Sequence, residues 1–233
     1  MAIAFDAKAT TGRNTAGGTH NWTHVCTGSD LILIVQVNMR GITGTVSGIT
    51  YNGVELTFIV EATNTARRVQ TWYLFNPATG SNTVSLTFSV APATSSIIES
   101  YSFTGVDSSG FDATAVTATG NSTAPSSSIA TNTADAMVVD CMMTGNLATS
   151  ALGAGQTYMY DDDGGTDILG NSSYEPAASP ATVTMDYTIA TGQWAKITMA
   201  LKPVAAAGGQ PFAKRVAGIP GMGRTSPQFT GYR

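Results

Sequence analysis

From its first residues to about Pro203 this chain is written in short apolar or alternating runs, parted by Gly, Asn, Asp and Pro. No stretch holds a helical period for more than two turns, so the chain must satisfy its backbone by pairing strands. Leu31 to Asn38 is almost continuously apolar and reads as a buried central strand. Ile49 to Phe58 reads as a hairpin, because Asn52-Gly53 supplies two residues that accept the positive φ of a tight turn. Alternation marks further strands at 68–75, 83–88, 96–103, 112–119, 127–130, 136–143, 156–160, 182–189 and 194–201. Many are spaced by the ~8–12 residues usual in sandwiches and barrels. The expectation is an all-β fold over residues 1–203, an antiparallel two-sheet sandwich of jelly-roll type, with an extended C-terminal arm over 204–233. No repeat is strong enough to argue for a propeller or solenoid.

Composition narrows the function. Only 11% of residues are charged, against a usual ~25%. Hydroxyls carry the polarity instead, with 35 threonines. That balance suits secreted proteins and virion surfaces more than cytosolic enzymes. The charge is also segregated. Met1 to Lys202 holds 7 Lys/Arg against 15 Asp/Glu, a net of −8, while Lys214, Arg215, Arg224 and Arg233 give the remainder +4. Between Val69 and Ala195 there is no Lys or Arg, so the body repels nucleic acid, whose binding needs cationic contacts. No stretch has the ~18 apolar residues of a membrane helix. The N-terminus reaches Asp6 at once and lacks a signal peptide's apolar segment. The reading is synthesis in a host cytoplasm.

The runs Ile49-Thr-Tyr-Asn-Gly-Val-Glu-Leu-Thr57, Arg67 to Val84, Ser102-Phe-Thr-Gly-Val-Asp107 and Gln193-Trp-Ala-Lys196 resemble a recurrent module. It is the Ser/Thr-rich β-sandwich of hypothetical tailed-bacteriophage proteins. The resemblance covers roughly Asp30 to Lys202, in turn and core residues. It implies a virion location and a non-enzymatic structural role, as capsid decoration, fibre or tail-associated subunit. Other virion proteins and further copies of the chain would be its partners. A carbohydrate-binding or adhesive module, meeting a host-surface glycan, is the alternative.

The residues themselves offer few chemical sites. Spaced anchors and cations in the basic tail, Phe212, Lys214, Arg215, Ile219, Arg224 and Phe229, are the expected partner-binding set. Residues 208–233 are expected to order on that partner. Asp161, Asp163 and Asp167 flank a Gly-Gly turn and are weak Ca²⁺ candidates, since the spacing departs from known loops and no bidentate Glu follows. No other metal and no cofactor is expected. Tyr158 and Tyr160 are the aromatics best placed for exposure, and so for stacking on a sugar. Glu99 lies among apolar neighbours, and alternation turns it to solvent. His20 and His24 share a strand face ~13 Å apart, too far for one metal. Cys26 and Cys141 read as buried thiols. No nucleophile elbow or phosphate loop occurs, and no catalytic residue is assigned.

Overall fold

Strands covered on both faces bury nearly every side chain they carry, and four segments of this chain do so, residues 32–40, 95–104, 136–144 and 192–203. The structure, a computed structural model, describes residues 2–145, 150–163 and 168–205, and only the backbone of Asp162 and Asp163. It is an all-β antiparallel sandwich, as expected, and the described residues hold no helix. The first half contributes β1 (Ala4–Asn14), β2 (Gly18–Cys26), β3 (Ile32–Arg40), β4 (Thr45–Tyr51), β5 (Val54–Glu55), β6 (Thr57–Asn64), β7 (Arg67–Phe75), β8 (Gly80–Val90) and β9 (Ser95–Thr104). The second contributes β10 (Val106–Ser122), β11 (Ser126–Ala130), β12 (Ala136–Thr144), β13 (Ala151–Leu152), β14 (Thr157–Asp163), β15 (Leu169–Ala177), β16 (Thr182–Thr188) and β17 (Gly192–Pro203).

The sandwich is built twice. One five-stranded sheet has the order β1-β9-β3-β7-β6 and the other β10-β17-β12-β15-β14. The outer sheets run β2-β8-β4-β5 and β11-β16-β13. Strand for strand, β5 apart, the second half repeats the path of the first. Two side-chain devices repeat with it. The Asp6 carboxylate accepts from the amide and hydroxyl of Thr27, and the Asp112 carboxylate accepts from the amide of Asn132 and the hydroxyl of Thr133. Each inner strand is then entered through an aspartate of positive φ, Asp30 (53°) before β3 and Asp135 (61°) before β12.

The four sheets stack as layers. Leu33, Val35 and Val37 of β3 meet Ile49, Val84 and Leu86 of the outer sheet. Val138 of β12 and Ala200 of β17 meet Ile129, Val183 and Met185 on the other side. Between the two five-stranded sheets lies a third core. There Ile32, Ile34, Ile97, Tyr101 and Phe103 face Met137, Val139, Cys141, Ile197 and Met199. Aromatics cross this core reciprocally. Phe5 of β1 stacks on Tyr174 of β15 at 5.8 Å, and Phe111 of β10 meets Tyr73 and Phe75 of β7 at 5.0 and 5.8 Å. Residues of equivalent strands exchange partners, as at a two-fold interface between identical subunits. The halves are therefore related by an internal pseudo-two-fold.

Asn52 (φ 49°) and Gly53 (φ 79°) close the turn between β4 and β5, as the dipeptide predicts. No atom crowds a Cβ at Gly53, so backbone strain alone sets the penalty there. Gly53→Val should destabilise by about 1–3 kcal/mol, because a β-branched residue resists positive φ. Chemical denaturation measures this, and an unchanged midpoint would contradict it.

Candidate functional site

Three groups of polar side chains stand out, two sealed between layers and one repeated at the sheet edges. The first lies between β2 and β9. His24 is fully buried, with Nδ1 3.0 Å from Ser100 Oγ and Nε2 3.0 Å from Ser102 Oγ. Ser102 donates its hydrogen to Asp6 Oδ2 at 2.7 Å, so His24 Nε2 carries a proton and donates to Ser102. This serine–histidine–aspartate set is not wired as a nucleophile. The carboxylate bonds the serine rather than the imidazole, and both serines are buried.

The second group sits between β12, β17 and β16. Lys196 and Asp140, both fully buried, form an ion pair. Asp140 Oδ1 also accepts from Tyr187 Oη at 2.8 Å and from the amide and hydroxyl of Ser173 at 3.0 and 2.7 Å. The ammonium stands 4.5 Å over the Tyr187 ring. Burial pulls the lysine pKa down, and the Asp140 carboxylate opposes it. A pair so fully bonded costs ~3–5 kcal/mol to break by removing one partner. It fixes which strands oppose one another.

The third group occurs twice, at the edge strands β6 and β14. Phe58 stands opposite Trp72, and Tyr158 opposite Ser173. A register break follows each aromatic, Phe58/Val60 and Tyr158/Tyr160. Next come Glu61 opposite Gln70 and Asp161 opposite Asn171. In each half the amide nitrogen donates to the carboxylate at 2.7 Å, Gln70 Nε2 to Glu61 Oε2 and Asn171 Nδ2 to Asp161 Oδ1. Both amides are buried, Gln70 at 6% and Asn171 at 0% exposure. Among the described residues their carbonyl oxygens have no hydrogen-bond partner. Both aromatics are exposed, Phe58 at 44% and Tyr158 at 37%. Arg68 pairs with Glu61 at 2.5 Å. Hydrogen bonds from Gln70, Arg68 and Thr63, with the Arg68 charge, outweigh burial and hold the Glu61 pKa below its ordinary value. Ser150 lies against Asp161 and Tyr158 in the second copy.

Tyr158 is thus exposed as expected, but Tyr160 is not. It is 7% exposed and packs in the central core, because the register break after Tyr158 puts both Met159 and Tyr160 inside. Glu99 also departs from expectation. β9 is covered on both faces, so alternation offers its carboxylate no solvent side, and Asn38 Nδ2 donates to it at 3.1 Å. Asp161 is exposed on β14 and bonded to Asn171. The backbone of Asp163 ends the same strand. Asp167, Phe212, Lys214, Arg215, Ile219, Arg224 and Phe229 lie outside the described residues. Among the described residues no three His, Cys, Asp or Glu side chains form a metal-binding group. Cys26 and Cys141 are free, buried thiols in different cores. Gln70 and Asn171 carry no mark of their own in the sequence, and neither does their pairing with Glu61 and Asp161. Only the parallel between Phe58-Ile-Val-Glu61 and Tyr158-Met-Tyr-Asp161 signals them in the sequence.

Burial lowers the His24 pKa from 6.5 to about 4, against a smaller opposing effect of Asp6. The unfolded chain therefore binds more protons between those values, and stability falls as pH drops from about 6.5 towards 4. The loss should reach about 3 kcal/mol. Denaturation midpoints of wild type and His24→Gln across that range measure it. The variant should show a flatter acid slope, and equal slopes would contradict the assignment.

No known family model matches the chain, and no curated protein matches it.

Proposed function

We propose that this protein is a non-enzymatic virion structural subunit, a capsid-decoration, fibre or tail-associated protein. It self-associates and docks through its basic C-terminal segment. The observation that supports this reading most is the separation of charge at one point of the fold. An acidic body, net −8 to Lys202, hands over after β17 to a segment with four cations and no acid. Opposite charge steers such a segment onto the body of a neighbour and fixes its register.

The exit point suits that use. β17 is flanked by β10 and β12, so the segment leaves from a strand held on both sides. Beside it lies a concavity of about 330 Å³ lined by Asp107, Thr133, Asp135, Lys202, Val204 and Ala205. Lys202 is paired with Asp107 at 2.9 Å, which anchors the end of the strand. The body also has the character of a building block. His24, Asp140 and Lys196, the groups whose chemistry would matter most, are tied into closed networks between layers.

Removal of residues 209–233 should leave the thermal melt of the body unchanged. It should abolish incorporation into virions, read by immunoblotting gradient-purified particles. A truncated chain incorporated as well as the full one would overturn the docking role.

A further inference from the structure

We infer that Lys196 and Asp140 are joined by an amide bond that the folded chain forms on itself, tying β17 to β12. This goes beyond the structural role proposed above and does not rest on it. A simple buried ion pair is the alternative, and the duplication of the fold argues against it. Asp140 follows Asp135 by five residues, as Val35 follows Asp30. Asp140 lies opposite Thr198, and Met142 opposite Lys196. At the same register of the first half Val35 lies opposite Ser100, and Val37 opposite Ile98. Val35 and Ile98 thus stand where Asp140 and Lys196 stand, and both are fully buried in an apolar core. The same fold closes at this point without charge. A buried ion pair gains little over apolar residues of similar volume, so packing does not call for this one.

The geometry sets up the reaction. The two residues are diagonal neighbours on paired strands, ~7–8 Å apart along the backbone, a span that a lysine stem covers. Lys196 Nζ is in direct contact with Asp140 Oδ2. The other oxygen is held differently. Oδ1 accepts from the amide and hydroxyl of Ser173 and from Tyr187 Oη. Donors gathered on one oxygen are what stabilises the anion of a carboxyl under attack. Burial favours the neutral amine, the nucleophilic form. The ammonium passes one proton to Oδ2, which leaves an amine beside a carboxylic acid. Nζ attacks Cγ, and negative charge builds on Oδ1 among its donors. A second proton moves from Nζ to Oδ2, the Cγ–Oδ2 bond breaks and water leaves. One ammonium and one carboxylate become one amide and one water, with no oxidant and no outside reagent. Contact between amine and acid replaces a bimolecular encounter. Tyr187, its ring 4.5 Å from Nζ, is itself buried and helps to seal the site. Exclusion of water then protects the product from hydrolysis. The step occurs once per chain and needs no substrate, which suits a site closed between layers.

Intact-mass spectrometry of the full chain, folded by circular dichroism and then denatured, tests this. The mass, counted with or without Met1, should be lower by one water than the sequence requires. Lys196→Arg and Asp140→Ala should each show the full mass of their sequences, which is read whether or not the variant folds. Trypsin cannot locate the bond, since no Lys or Arg lies between Val69 and Ala195. Cyanogen bromide can, because it cuts after Met137, Met142, Met185 and Met199. Residues 138–142 should emerge joined to residues 186–199, lighter by one water than the two fragments together. Full mass in the folded wild type would overturn the inference. So would a missing water that persists in Lys196→Arg, or release of the two fragments as separate peptides.

Discussion

Everything in this molecule depends on the apolar contact between its two five-stranded sheets. Because each also carries an outer sheet, β3, β9, β12 and β17 are covered on both faces. Antiparallel sheets commonly leave one face to solvent. Here each half covers the other. Phe5 reaching Tyr174, and Phe111 reaching Tyr73 and Phe75, are the two ends of one reciprocal contact. Separated, each half would expose a face lined by Ile, Met, Val and aromatic side chains. The pseudo-two-fold is thus a means of burial.

Burying so many strands twice forces polar groups inside, and the fold handles them by closure. Gly170 of β15 approaches the Glu99–Asn38 pair so closely that a Cβ there would stand 2.6 Å from Glu99 Oε1. The Asp140–Lys196 pair takes bonds from β15 and β16. Ser100 and Ser102 let β9 bond to β1 and β2 from its outer-facing side. Such networks favour one register over its neighbours, since a one-residue slip would turn each buried polar group to the wrong face. Serine and threonine suit this work at Ser100, Ser102, Ser173 and Thr198, all buried.

How much of this the sequence discloses depends on the strand. The double-faced strands β3, β12 and β17 read as apolar runs, and the Asn52-Gly53 turn reads from its dipeptide. β15 does not, because Leu169-Gly-Asn-Ser-Ser-Tyr174 looks like a loop until Asn171 finds Ser150 and Ser173 finds Asp140, both buried. Glu99 and Tyr160 misled for the same reason. Alternation assigns a solvent face that a four-layer stack lacks at β9 and that a register break shifts at β14. The duplication left only traces. Phe5-Asp6-Ala7 recurs as Phe111-Asp112-Ala113, and each aspartate precedes its threonine partner, Thr27 or Thr133, by 21 residues. The twin edge groups share residue classes rather than identities, so only the superposed strand order reveals them.

The two sandwiches share one core, and neither is stable without the other. Scanning calorimetry of residues 1–205 tests it most directly. A shared core predicts one transition, with calorimetric and van't Hoff enthalpies equal. Two resolved transitions, or a separately expressed half (residues 1–105) that melts cooperatively by itself, would contradict it.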